Sequence, residues 1–245
     1  MYPEQADVVT FPRGPAHGET MEVLLAMLEN FGARQVLDIG CGDGTVAGTL
    51  TCAGLSVTGI DPSADAIAQA RQNVPQAIFH HASAEALPAG LPKFDAAFFV
   101  NSLHHVDETQ MQAAMLNAVA ALRPGGIVII IEPLAQGSFF RAMRPLEDET
   151  EIRAKAAAAI EALISDHRVV LRDLRRWNRE SRFRRLEEFI DYLSRASPER
   201  AGLARRHYSA LARAWRDNIH TVDGVAVLTQ PMICWTLSAP ADEAA

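Results

Sequence analysis

Between Gln35 and Pro133 short apolar runs alternate with longer stretches whose apolar positions recur at helical spacing. This is the rhythm of strand–helix–strand units, and hence of a parallel sheet. Strands are predicted over Gln35–Ile39, Ser56–Asp61, Ala77–His81, Phe94–Val100 and Ile127–Glu132. Several of them are continuous apolar runs, as expected of strands covered on both faces. Helices are predicted over Thr45–Ala53, Ala64–Asn73 and Asp107–Leu122, the last stopped by Arg123-Pro124-Gly125-Gly126, because proline and glycine do not extend a helix. Another helix, from about Gly18 to Phe31, precedes the first strand and packs on the sheet or over its edge.

After Pro133 the rhythm changes. Glu147–Asp166 is an Ala- and charge-rich helix too long for a simple connection, and reads as an inserted cap. Arg168–Trp177 is expected as a strand, Leu186–Arg195 and Pro198–Asp217 as two helices, and Val225–Leu237 as the last strand, with Pro231 marking an interruption or an edge. Aromatic residues of this region, Trp177, Tyr192, Tyr208 and Trp215, suit either a helical core or the lining of a pocket.

Composition adds exclusions. With 49% hydrophobic and 22% charged residues in 245, the chain reads as an ordinary globular protein. Residues 1–20 hold no apolar core of a signal peptide, and Ile127–Ile131 falls far short of the ~20 residues of a membrane span, so a cytoplasmic protein without membrane contact is expected. Three widely spaced cysteines offer no disulfide framework, and neither they nor the histidines show metal-ligand spacing, so no metal is expected. A net charge of −7 gives no attraction to nucleic acid. Arginines crowd Arg168–Arg216, which fits solvated helix faces or a surface for an acidic ligand.

The densest chemical signal is Val36-Leu37-Asp38-Ile39-Gly40-Cys41-Gly42-Asp43-Gly44, a strand that runs into a glycine-rich turn opening a helix. Without a Cβ the turn lets a ligand lie against the main chain at the carboxyl ends of the strands, where open α/β sheets bind ligands. The dinucleotide pattern G-x-G-x-x-G fails here, since Thr45 stands at the third glycine. The next strand ends at Asp61. Its carboxylate accepts hydrogen bonds only, which suits a vicinal diol and opposes a 2′-phosphate. Capping the following helix is the other reading of Asp61, although Ser63 is available for that work.

Five pieces stand in order: VLDIGCGDG at Val36–Gly44, TGIDPS at Thr58–Ser63, ASAEALP at Ala82–Pro88, FDAAFFVNSLHHV at Phe94–Val106 and LRPGGIVIIIEP at Leu122–Pro133. In these the chain resembles the class I S-adenosylmethionine-dependent methyltransferases, particularly the small-molecule group of the ubiquinone and menaquinone biosynthesis type. The resemblance covers roughly Gly32–Pro133. It implies an α/β fold, a Rossmann-like, seven-stranded, mostly parallel sheet with helices on both faces and a helical cap inserted in the C-terminal half. The expected organisation is one methyltransferase domain over residues 1–245: an N-terminal arm and cofactor-binding half to 133, cap insertions over 134–220, and a final strand and tail over 221–245.

For the site, the resemblance implies that the turn Gly40, Cys41, Gly42 and Gly44 holds the methionine part of S-adenosylmethionine, with Asp38 ordering the turn or meeting the amino group. Asp61 would hold the ribose, Pro62 lie near the adenine, and Ser83, Ala84 and Glu85 edge its ring. Many relatives carry Asp where Ser83 stands, so a side-chain contact there is not carried over, whereas a main-chain contact at Ala84 is. Asn101 and Ser102 would approach the methionine end, partly through main-chain carbonyls.

The implied reaction is direct methyl transfer to a small-molecule acceptor, leaving S-adenosylhomocysteine. His104 and His105, at the end of the fourth strand, are the candidates for a general base, with His105 slightly ahead; a structural role is the alternative. Glu132 is a weaker candidate for touching substrate, or pairs with an arginine; Tyr2 and Arg13 are placed over the cofactor by position alone. Asn101-Ser102-Leu103-His104 is unlike the pattern of amino-directed nucleic-acid methyltransferases, so nucleic acid is not expected as substrate, and the assembly is a monomer or homodimer. Two rivals stand beside this reading: a non-catalytic module that binds the cofactor, and an NAD-dependent oxidoreductase.

Overall fold

A computed structural model describes residues 19–194 and 198–240, the side chains of Pro198 and Glu199 excepted. The expected placements of Tyr2 and Arg13 lie outside the described residues. Two compact units emerge. Of the described residues, the larger comprises 20–132, 155–175 and 233–240, the smaller 19, 133–154, 176–194 and 198–232.

In the larger unit, helix α1 (Thr20–Asn30) buries Val23, Leu24, Met27 and Leu28, a stripe at helical spacing. Then come β1 (Gln35–Ile39), α2 (Thr45–Cys52), β2 (Ser56–Asp61), α3 (Ala64–Asn73), β3 (Ile78–His81), β4 (Phe94–Val100), α4 (Met111–Ala120) and β5 (Leu122–Pro133). Strands β1, β2, β3, β4 and β5 pair in parallel. Val36, Leu37, Ala96, Ala97, Phe98, Phe99 and Val128–Ile131 are buried to 0%, so apolar burial, the main driving force of folding, is concentrated in the central strands. The sheet order is β3-β2-β1-β4-β5-β8-β6, with β7 paired to β8 off that path.

Seven strands on the path match the expected Rossmann-like sheet, and β7 (His220–Val222) is an eighth. It forms a short antiparallel hairpin with β8 (Val225–Ser238) through Asp223-Gly224, both at positive φ. A three-residue strand is too short for the alternation that reveals strands in a sequence.

Strand β5 also begins earlier than expected. Arg123-Pro124-Gly125-Gly126 ends the preceding helix but lies in the strand, with Gly125 at φ 80° and a register irregularity opposite Phe94 and Ala96. The helix predicted over Asp107–Leu122 is confined to Met111–Ala120, because Leu103–His105 and the Asp107–Thr109 turn occupy the approach.

The smaller unit carries α5 (Gly137–Met143), the start of α6 (Thr150–Ser165), the end of β6 (Val170–Phe183), α7 (Leu186–Ser194), α8 (Pro198–Arg206), α9 (Tyr208–Asn218), β7 and the first part of β8. The single helix expected over Pro198–Asp217 is two, broken at His207. Helix α5 was not foreseen, since seven residues opening on glycine and serine are too few to show a helical period. Its Phe139 and Phe140 nevertheless join Phe183, Phe189, Leu211 and Trp215 in the core of this unit.

Candidate active site at the carboxyl ends of the parallel strands

All twelve expected cofactor residues and both histidines lie in the larger unit, between β1 and the turn that follows β4. The glycine turn is shaped by its main chain. The N–H groups of Gly40 and Cys41 both donate to the carbonyl of Ile60, at 2.9 and 3.0 Å, so the turn bends over the end of β2. Gly40 has φ 79° and leaves no room for a side chain: a Cβ there would stand 2.5 Å from the Cβ of Ser102. Gly44 has φ 84°, and a Cβ there would stand 3.2–3.3 Å from atoms of Ala70 and Phe79, so its absence lets α2 start close against α3 and β3.

Asp61 has taken up its own network. One carboxylate oxygen accepts the Gly42 N–H at 2.9 Å, and the other accepts the Ser63 N–H at 2.8 Å. The helix is capped by Ser63, whose Oγ accepts the Ala66 N–H at 3.2 Å. Asp61 therefore clamps the glycine turn to β2, and a carboxylate with about four lone-pair sites retains capacity for two more donors. Pro62 is exposed, and its carbonyl bonds His81 Nε2 at 2.9 Å.

Asp38 is 2% exposed and has one carboxylate oxygen, Oδ2, buried with no hydrogen-bond partner among the described residues. Burial, and secondarily the negative charge of Asp61, pushes its carboxyl up to about 8. The same burial, with Asp38 and then Asp61 nearby, raises the Cys41 thiol and keeps it protonated. Beyond the neighbouring strand β4, Asn101 is held at φ 53° while its N–H donates to Ile131 at 2.8 Å. Its side-chain Oδ1 is also buried without a partner among the described residues. Ser102 is turned inward, its hydroxyl donating to the carbonyl of Ile39 at 2.6 Å. These orphaned acceptors each cost roughly 1–3 kcal/mol if nothing bonds them, and they suit an ammonium donor.

On the other flank, Ser83, Ala84 and Glu85 follow β3. The carbonyls of Ala84 and Glu85 both accept from Asn117 Nδ2, at 3.2 and 2.9 Å, which fixes the loop to α4. Asn117 is a residue the sequence reading misses; its signal is a half-buried amide in a helix whose buried positions, Met111, Ala114, Met115 and Ala118, are all apolar. Beside this loop lies a cleft of about 410 Å³ lined by Leu87, Leu91, Lys93 and Asn117 among others. It sits outside the glycine turn.

His104 and His105 do not share one environment. His104 is 4% exposed and its Nδ1 bonds Glu132, which is equally buried; the other oxygen of Glu132 accepts the Leu103 N–H at 2.9 Å. Glu132 thus pairs with a histidine where an arginine was the expected partner. The His105 ring is exposed in part to solvent and lies 4.1 Å, centroid to centroid, from that of His104. Among the described residues no cluster of three His, Cys, Asp or Glu side chains is arranged to hold a metal.

Residues 36–126 match the family model described as a methyltransferase domain. Over 99 residues the chain is 35% identical to an uncharacterized methyltransferase of Synechocystis sp., a stretch that makes up 40% of this chain and 47% of that protein. Over 101 residues it is 40% identical to a ubiquinone biosynthesis O-methyltransferase of Aromatoleum aromaticum, covering 39% of this chain and 42% of the relative. The chain thus spans less than half the length of these curated relatives. Among solved structures it is similar to a provisionally named methyltransferase of Bacillus halodurans C-125, with a TM-score of 0.63 and 19% identity, over 91% of this chain and 100% of that one. It is also similar to the 4+2 cyclase SpnF, with a TM-score of 0.58 and 18% identity, over 90% and 80% of the two chains. At such identities the likeness speaks for the fold alone. The segment from Val36 to Gly126 matches a methyltransferase-domain family, and the strand order and the glycine turn agree with that match.

Proposed function

We propose that the protein transfers a methyl group from S-adenosylmethionine to a small-molecule acceptor, both units serving one activity. The observation that carries this reading is two buried acceptor atoms without a partner among the described residues, Asp38 Oδ2 on β1 and Asn101 Oδ1 just past the neighbouring strand β4. Such atoms fit the ammonium of the cofactor's methionine part, and Asp61 fits its ribose diol. When bound, the cofactor supplies a methyl group on a positively charged sulfur; the acceptor's lone pair forms the new bond as the carbon–sulfur pair returns to sulfur.

The residues of this chain then have separable tasks. Gly40–Gly44 presents main-chain groups and excludes side chains from the ligand's path. Asp38, Asn101 and Asp61 fix the donor's orientation, and orientation of this kind supplies ~7–11 kcal/mol in favourable cases. Ser83, Ala84 and Glu85 border the adenine. His105 is the proposed group to take the acceptor's proton, because it is exposed where His104 is buried.

No described helix is long and apolar enough to cross a membrane. We assign the protein to the cytoplasm, a reading supported by the exposed free thiol of Cys52, which suits a reducing compartment. Nucleic acid is not proposed as a substrate, given the net charge of −7. Calorimetric titration tests the reading: S-adenosylhomocysteine should bind, and Asp61→Ala should weaken it by about 1.5–3 kcal/mol. Binding of NADH with none of S-adenosylhomocysteine would reverse the choice of cofactor. Binding without methyl transfer to any of a broad acceptor panel would make the protein a non-catalytic binding module.

A further inference from the structure

On the larger unit a groove of about 340 Å³ lies between the end of α1 and the connection from α2 to β2. Leu25, Leu28 and Leu55 give it apolar walls, and Glu29 and Arg34 also line it. It belongs to the amino ends of the strands: Ser56, which opens β2, donates its N–H at 2.9 Å to the carbonyl of Arg34, the residue before β1. The glycine turn follows the carboxyl end of β1, so the groove is separate from the cofactor site.

Helix α1 ends beside this groove in a way that fixes its last residues. Gly32, at φ 63°, donates its N–H to the carbonyl of Glu29 at 2.9 Å, and Ala33 donates to that of Leu28 at 2.9 Å, the paired bonds of a Schellman ending. The apolar contact that accompanies such an ending joins the positions of Ala33 and Leu28, and both are buried. The ending makes no demand on the side chain of Phe31. Its N–H bonds the carbonyl of Met27 at 3.2 Å, so its backbone is held, yet the residue is 42% exposed. Phe31 stands between Glu29 and Gly32, which line the groove, without lining it itself. A fixed aromatic knob therefore sits next to an apolar hole. A cavity of about 150 Å³ already takes a benzene ring, so the hole has room for one such knob.

The charges select the occupant. Glu29 and Arg34 are exposed on the same groove, and neither side chain has an ion pair among the described residues. An occupant of this face has to bring an apolar knob together with a base for Glu29 and an acid for Arg34. A second copy turned about a two-fold axis brings all three, because a two-fold contact sets each residue of a patch against the other residues of the same patch.

We propose that two copies of the chain associate about a two-fold axis through this face. Each Phe31 enters the other copy's groove among Leu25, Leu28 and Leu55, and Glu29 of each copy pairs with Arg34 of the other. Aromatic anchors seated in pockets carry most of an interface's energy, while charges at its rim fix register and partner. The contact lies at the end of the strands away from the glycine turn, and it does not rest on the methyl-transfer reading.

Sedimentation velocity of the full chain at about 0.15 M salt, over about 1 to 200 µM, tests the association, and a dimer that dissociates in the micromolar range is expected. Phe31→Ser should weaken it by about tenfold or more. Glu29→Arg and Arg34→Glu each set like charges together twice across the axis, and each should weaken it by about tenfold or more. An equimolar mixture of these two variants restores opposite charges at both contacts and should recover the wild-type association. Wild type that stays monomeric throughout, a dimer indifferent to Phe31→Ser, or a mixture no more dimeric than its components overturns the proposal. The wild-type measurement needs no variant, and recovery in the mixture requires that both of its members fold.

Discussion

If Asp38 receives the ammonium of the cofactor, binding must expel a proton. In the free protein its carboxyl sits near 8, raised first by burial and then by the charge of Asp61, so at neutral pH it is mostly protonated. An ammonium beside it favours the carboxylate and draws the group back down. The sign follows: below about pH 8 each complex formed releases a proton, so affinity rises with pH and levels off above that value. With a midpoint near 8, the ionised fraction rises from ~1% at pH 6 to ~50% at pH 8, a gain in affinity for S-adenosylhomocysteine of one to two orders of magnitude, or ~2 kcal/mol. Titrations at pH 6, 7 and 8, repeated in buffers of different ionisation enthalpy, measure both the affinity and the protons released. Asp38→Asn, which cannot ionise, should flatten the profile. A flat profile in the wild type, or no proton release at pH 7, refutes the assignment of Asp38 to the ammonium.

Three further outcomes are expected. Gly40→Ala must place a Cβ 2.5 Å from Ser102 Cβ at a residue with φ 79°; a loss of about 1–3 kcal/mol in urea unfolding, with weakened S-adenosylhomocysteine binding, is expected. Glu132→Ala strands the buried His104 ring and the Leu103 N–H, and should cost roughly 1.5–3 kcal/mol, whereas Glu132→Gln, whose carbonyl can still accept one of them, should cost less in the same unfolding assay. Glu149→Ala removes the acceptor that Arg153 and Arg200 share at 2.5 and 2.9 Å in a site where Glu149 is 5% exposed, and a thermal denaturation should register a loss of about 3–5 kcal/mol.

Residue type and spacing were enough to define the first half of the molecule, for a physical reason. Gln35–Ile39, Ser56–Asp61 and Phe94–Val100 are strands buried on both faces, and a short, mostly apolar run admits few alternatives when glycine, proline or asparagine bounds it. The glycine turn was legible because three glycines at alternate positions serve no purpose in a helix or strand.

Tertiary contacts hid the remainder. Nothing local tells Glu132 that its partner is His104, 28 positions away, or tells Asn117 that it will hold the carbonyls of Ala84 and Glu85. The break at His207 falls where His207, Tyr208 and Ser209 are weak helix formers, and α9 beyond it turns Leu211 and Trp215 into the core. Helix α5 exists because Phe139 and Phe140 have a core to enter, and a seven-residue window does not announce that.

Asn101 sits at a crossing of two demands. Its left-handed backbone suits glycine, and a glycine there would relax the chain and raise the melting temperature. Only a residue that carries a side-chain oxygen, however, offers the buried acceptor beside β1 and β4. A variant library screened for heat resistance alone would therefore drift toward glycine at this position and shed affinity for the nucleoside, whereas one screened for turnover would keep the strained asparagine.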